Sequence, residues 1–290
     1  MPVIKYQEFI PHAVLQDHVK RFWILEKEYT PEDSHEEVLP DACIELILNL
    51  GSPYVQMGVA GARELAEVSL IGLQSKPLMF HASGVVRVVA VRFFAWGALA
   101  FFKHEVRGKG VKGVELDQEW RKTVAKMKSK VLAGDYEKAV HEIEDLLIGS
   151  RLNVLFAPRQ IRAAAKLLYH TKGQFRMAEL ADRCHVSARQ LERQFDEATG
   201  VSPKTLARTI RFEAIRQRLM FEPGANLTEL AYEFGYADQA HFIHDFKAFT
   251  NKTPSEYAAE TLELQELFHH NQNVVFLQSP PSALDYSEQD

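Results

Sequence analysis

The feature that most restricts the fold is an internal duplication. The segment "ELADRCHVSARQLERQFDEATGVSP" (179–203) lies over "ELAYEFGYADQAHFIHDFKAFTNKTP" (229–254). Glu-Leu-Ala repeats, and Leu191 pairs with Phe242, Phe195 with Phe246, Thr199 with Thr250, Gly200 with Asn251 and Pro203 with Pro254. The offset grows from 50 to 51 within the turn, so the second copy has one extra turn residue. Two copies are too few for a solenoid, which needs several stacked units, but they suit a duplicated module.

Each copy follows the logic of a helix-turn-helix. A small residue, Ala181 or Ala231, stands where the two helices approach closely. His185 or Gly235 sits at the turn, and these types tolerate or favour positive φ. Ser187 and Asp238 are good N-caps for the second helix. Gly200 and Asn251 take the left-handed position at its end. Helical spacing turns Leu191, Phe195 and Ala198 inward and leaves Arg189, Glu192, Arg193 and Asp196 outside. In the second copy Phe242, Phe246 and Phe249 turn inward, leaving Gln239, Ala240, Ile243, His244 and Lys247 outside. A basic amphipathic helix, "PKTLARTIRFEAIRQRLMFE", joins the copies. Taken as about 18 helical residues at ~1.5 Å each, it spans roughly 27 Å. That length could hold two recognition helices near the ~34 Å that separates successive major-groove faces of B-DNA.

The chain's 290 residues point to more than one domain. Its formal net charge of −5 hides an uneven distribution. Residues 1–157 carry 19 Lys+Arg against 21 Asp+Glu, residues 158–257 carry 15 against 12, and the remainder has six acids and no base. A mildly basic module thus lies between acidic flanks, and local patches steer binding more than the total does. No signal peptide or membrane span is visible, and Cys43 and Cys184 sit apart in apolar patterns, so a reducing cytoplasmic setting is expected.

The first ninety residues read mostly as strands: "VKRFWILEKEY", "CIELILNL", "SLIGLQ" and "VVRVVAVRFF", punctuated by Gly and Pro. Without intervening helices they predict an antiparallel sheet or small barrel. "WGALAFFKHE" reads as a short apolar helix, and two amphipathic helices follow. The first spaces Trp120, Val124, Met127 and Val131 on one stripe behind an Asp117 cap; the second does the same with Tyr136, Val140, Ile143 and Leu147. Both stripes suit packing on their own sheet, and one alternatively suits a dimer seam. "GSRLNVLFAP" reads as a linker, with Pro158 in the first turn of the next helix. The expected fold class is α+β, with a sensor or dimerisation domain over 1–150, an all-α double helix-turn-helix domain over 151–258 and an extension over 259–290. In the extension, Val274 to Leu277 could add a strand to the N-terminal sheet or pack on the helical domain.

The two copies and their connecting helix resemble the DNA-binding domain of the AraC/XylS family of bacterial transcription regulators. The likeness covers about 158–257, through "ELADRCHVSARQLERQFDEATGVSPKTLARTIRFEAIRQRL" and "LTELAYEFGYADQAHFIHDFKAFTNKTPSEY". The N-terminal half resembles, more loosely, a sensor-type domain found before this module, through "VLPDACIELILNLG" and "VVAVRFFAWGALAFF". The resemblance implies double-stranded promoter DNA and RNA polymerase as partners, a small-molecule effector or a homodimer contact at the N-terminal domain, and no cofactor. The chain departs from the family pattern at His244, where Arg is common, at Ala258, also often Arg, and at Ala95, where Pro is expected.

Roles follow from side-chain chemistry. Arg193 can bond bidentately to guanine, though a surface pair with Glu197 is the plainer alternative. Arg189 suits a base or a phosphate, Glu192 a cytosine amino group or plain solvation, Gln239 an adenine and Ile243 a thymine methyl. His244 aligns with Arg193 and would face DNA as a weaker donor. Ser187, Lys204 and Arg208 are expected on the phosphate backbone. Arg211, Arg216 and Arg218 suit either phosphates or internal pairs with Glu213 or Glu222. His241 and His244 have a spacing compatible with a metal but lack a convincing third ligand, so no metal is expected. Trp23, Glu45, Arg92 and Trp96 mix apolar walls with charge as a ligand pocket would, or as a core with edge charges would. No catalytic constellation is evident. The resemblance therefore implies a transcription regulator, and by family habit an activator. The alternative is a signalling or ligand-sequestering protein whose second module has degenerated.

Overall fold

The computed structural model describes residues 4–59, 61–102, 106, 110–150, 159–222, 224–270 and 276–277, with side chains as far as residue 262. Two sheets make up the N-terminal half. The larger contains β1 (Ile4–Phe9), β2 (Val19–Tyr29), β4 (Cys43–Asn49), β7 (Val68–Ile71), β9 (Gly84–Phe94), β10 (Val111–Gly113) and β11 (Phe276–Leu277), in the order β10-β7-β4-β9-β2-β1-β11. The smaller runs β3-β8-β5-β6, from β3 (His35–Val38), β8 (Leu78–His81), β5 (Val55–Gly58) and β6 (Gly61–Glu64). Pairing is antiparallel except where β11 joins β1 in parallel. The sheets stay open, so of the two expected forms the sheet is realised and the barrel is not.

Both faces of the larger sheet are covered, which explains why β4 and β9 read as nearly continuous apolar runs, broken by Glu45 in β4 and by Arg87 and Arg92 in β9. Ile44, Leu46, Leu48, Val89, Val91 and Phe93 face one core. Ile47, Val86, Val88 and Ala90 face another, beneath the smaller sheet. α1 (Gln118–Leu132) and α2 (Tyr136–Gly149) close the first core with both of their predicted stripes. Asp117 accepts the Trp120 amide and caps α1 as read. Because these stripes face their own sheet, neither is left for a dimer seam. The stretch expected as a helix from Trp96 gives only a 3₁₀ turn at Ala98–Ala100, and residues 103–105 lie outside the described part.

The helical part comprises α3 (Arg159–His170), α4 (Met177–Arg183), α5 (Ala188–Thr199), α6 (Pro203–Phe221), α7 (Leu227–Glu233), α8 (Gln239–Thr250) and α9 (Pro254–His270). The duplication survives in atomic detail. His185 and Gly235 have φ of 55° and 72°, and Gly200 and Asn251 close their helices at 77° and 60°. Thr199 donates to the Phe195 carbonyl at 2.8 Å, and Thr250 donates to Phe246 at 3.1 Å. The strut α6 serves both copies. Leu206 and Ile210 join Leu180, Leu191 and Phe195 in the first core, whereas Phe212, Ile215 and Leu219 join Phe242, Phe246 and Phe249 in a separate one. Of the predicted linker, residues 151–158 lie outside the described part, as does Val274 of the expected tail strand. Phe276 and Leu277 do extend the N-terminal sheet, beside Tyr6 and Gln7. No helix among the described residues is long and apolar enough to cross a membrane.

Candidate nucleic-acid interface

α5 and α8 are the second helices of their units. On α5, Arg189, Glu192 and Arg193 are exposed on one face, opposite the buried Leu191 and Phe195. Arg193 lies 4.0 Å from Glu197, with the two side chains 69% and 66% exposed. A pair so open to water contributes little and leaves the guanidinium ready to exchange partners. Ser187 accepts the Gln190 amide at 3.2 Å, so its oxygen fixes the start of α5. Lys204 is exposed in the first turn of α6.

On α8, Gln239 and His244 are exposed, and Lys247 extends the same side. Ile243 is half-buried, so part of its side chain already packs within the module. Asp238 accepts the His241 amide at 2.7 Å and holds the entry to α8. The His241 ring stands edge-on to Tyr236 at 5.2 Å between centroids, with Nε2 4.0 Å from the Asp245 carboxylate. His241 therefore belongs to the helix edge, while His244 faces outward.

Arg208, expected on the DNA backbone, makes a bidentate pair with Asp245, at 3.2 Å from Nε and 2.7 Å from a terminal nitrogen. Asp245 is almost fully enclosed, and a buried carboxylate needs such a partner. The pair ties the strut to the second recognition helix. The ambiguous arginines also turn inward: Arg216 grips Glu213 at 2.7 and 2.8 Å, and Arg211 donates to the Gly173 carbonyl at 3.0 Å. Arg218 pairs with Glu222 at 3.0 Å. What remains for an acidic ligand on the recognition helices and the strut's start is Arg189, Arg193, Lys204, His244 and Lys247.

Two further features lie in the N-terminal half. Between the sheets is a cavity of about 250 Å³, with Tyr6, Trp23, Glu36, Glu45, Tyr54 and Arg92 among its walls. Of the pocket residues expected from sequence, Trp23, Glu45 and Arg92 line it. Trp96 does not; its indole donates to the Asp17 carbonyl at 2.7 Å. Strand register sets Glu45 opposite Arg92, whose Nε donates to it at 2.7 Å and lies 3.4 Å from Asp41. Burial pushes the Glu45 carboxyl up, against the pull of Arg92. Burial would lower Arg92, but the Glu45 and Asp41 carboxylates outweigh it and hold the guanidinium charged.

Asp41 leads to the helical part. It accepts the Cys43 amide at 3.0 Å, and Ala42 between them is held at φ 61°. The Ala42 carbonyl accepts the hydroxyl of Tyr169 on α3. Tyr169 stands edge-on to Phe94 at 5.6 Å and to Trp96 at 5.4 Å. Asp17 pairs with both Arg162 and Lys166 of α3. Sequence reading missed this junction, along with Tyr6, Glu36 and Tyr54 of the cavity. The short strands β1 and β3 give too little alternation to reveal which side faces in.

Two helix-turn-helix units on a shared strut, each with its second helix presented to solvent, make up a double helix-turn-helix domain. A family model described as "Helix-turn-helix domain" matches residues 180–260, and "Domain of unknown function (DUF6597)" matches 7–108. The HTH-type transcriptional activator RhaS of Escherichia coli is 30% identical over 107 residues, covering 37% of this chain and 35% of RhaS. An uncharacterized HTH-type transcriptional regulator of Staphylococcus aureus is 28% identical over 105 residues, covering 35% of this chain and 14% of its own length. The chain thus spans about a third or less of these curated relatives. ToxT from Vibrio cholerae superposes over 78% of this chain and 98% of its own, with TM-score 0.46 and 12% identity. Residues 180–260 thus form a helix-turn-helix domain similar to those of HTH-type transcriptional regulators.

Proposed function

We propose that the protein is an effector-responsive transcription regulator that reads promoter DNA through α5 and α8. The exposed face of α5 carries this reading, because Arg189, Glu192 and Arg193 project together from a helix whose other side is locked in the core. Arg193 is assigned to bidentate guanine contact, Arg189 to a base or phosphate, and Glu192 to a cytosine amino group. Gln239, His244 and the outer part of Ile243 face the second groove segment, with Ser187 and Lys204 on the backbone. Arg208 holds the two units in register through Asp245. The strut's 19 residues span about 28 Å, which suits adjacent major-groove segments read by one chain.

The N-terminal half is assigned as the sensor, on the ground of its cavity and of the junction from Asp41 to α3. Output would be activation through contact with RNA polymerase, in keeping with the activator RhaS. One observation favours a second reading, protein contact through a degenerate second unit: the outer face of α8 carries no arginine. Selection of bound sequences from a random DNA pool, with wild type and Arg193→Ala at fixed salt, separates the two. Two half-sites about one helical turn apart are expected, with one blurred in the variant by about 1–3 kcal/mol of lost discrimination. No enrichment, with or without cell extract as a source of effector, would sink the regulator.

A further inference from the structure

Resting on the sensor reading above, we propose that the cavity between the sheets takes a small organic cation: an amine, protonated at neutral pH, on an apolar body. Glu45 supplies the first reason. It is only 8% exposed, and both donors that reach it, the Trp23 indole at 3.2 Å and Arg92 at 2.7 Å, use the same oxygen, Oε1. No described residue donates to Oε2. A buried carboxylate with one oxygen open is an incomplete arrangement that an N–H donor bearing charge completes best.

Charge gives the second reason. The ionisable groups among the cavity walls named above are Glu36, Glu45 and Arg92, which leaves one negative charge in excess. Their outside partners cancel, because Lys27 pairs with Glu36 at 3.3 Å and Asp41 with Arg92 at 3.4 Å. Arg92 is thus shared between two carboxylates and is a poor anchor for an anion. Glu36 is fully engaged, with Tyr29 and Lys27 on one oxygen and Tyr54 on the other at 3.1 Å. Glu45 is therefore the carboxylate with room.

The walls supply the third reason. The Tyr6 and Trp23 rings lie with centroids 6.0 Å apart, and Trp23 is the residue that touches Glu45. Aromatic faces beside a carboxylate attract a cation and cover its apolar body together. The cavity's size, about 250 Å³, suits a body of one ring or a short alkyl chain.

The test uses the full chain and matched probes: 2-phenylethylamine, 2-phenylethanol and 3-phenylpropanoate, then hexylamine, hexanol and heptanoate. Binding is read by thermal shift and by the Trp23 indole N–H resonance, assigned with Trp23→Phe. Both amines are expected to raise Tm and move that resonance, ahead of their alcohols and carboxylates. Glu45→Gln is expected to weaken amine binding by about tenfold or more while sparing the alcohols. If Glu45→Gln fails to fold, the resonance of the wild-type protein still decides. Carboxylates binding best, alcohols matching amines, or no amine binding at millimolar concentration would each overturn the proposal. DNA selection without probes reports separately on the regulator: a DNA motif without amine binding removes only the ligand class, and amine binding without a motif removes only the regulator.

Discussion

Arg208 and Lys204 lie four residues apart on one basic helix, yet the structure gives them opposite tasks. Lys204 ends in solvent, whereas Arg208 neutralises the enclosed Asp245. Lys204→Ala should lower the slope of log affinity against log salt by about 0.9 and leave stability unchanged, as loss of one phosphate contact requires. Arg208→Ala should instead cost roughly 3 kcal/mol in denaturant unfolding, because a buried carboxylate is left alone. Adding Asp245→Leu to Arg208→Met should recover much of that loss. A normal salt slope for Lys204→Ala, or a fully stable Arg208→Ala, would reverse the assignment. Sequence could not separate the two residues. Asp245 falls within the inward stripe of α8, three residues after Phe242 and four before Phe249, but the pattern does not say which strut residue it meets.

At the scale of elements, the helical part was legible because its signals are local. Caps at Ser187 and Asp238, left-handed stops at Gly200 and Asn251, and the apolar stripes all lie within a few turns of the helices they define. The sheet was legible only in its longest strands. β2, β4 and β9 have the length and apolar content to declare themselves, while β5 and β6 are short and largely exposed. The junctions between elements left weaker traces, and Gly173 is an instance. It ends α3 with φ at +73°, and a Cβ there would stand 2.1 Å from the Ala207 carbonyl oxygen on α6. Gly173→Ala should therefore cost on the order of 3 kcal/mol, from strain and forced separation together. Urea unfolding checks it, and a variant as stable as wild type would mean that α3 and α6 approach less closely.

Across the whole molecule, α3 carries the contacts from sheet to recognition helices. Tyr169→Phe keeps the ring against Trp96 and Phe94 but strips the Ala42 carbonyl of its donor. The expected loss is about 1–3 kcal/mol in chemical denaturation, the penalty for an unpaired buried acceptor. An unchanged midpoint would mean that water replaces the phenol. Nothing in the sequence marks Tyr169 for this role, since its partner lies 127 positions away. The expected boundary at 150/151 falls beside residues outside the described part, yet one apolar core runs from Phe22 and Phe93 through Ala164 and Leu168 to Leu191 and Phe195. The second copy keeps a core of its own around Phe212, Phe242 and Phe246. Two units that arose as equals in sequence are therefore unequal in cooperativity. In native-state hydrogen exchange, the amides of α5 should open together with those of the central sheet, and those of α8 should open earlier, as a smaller foldon.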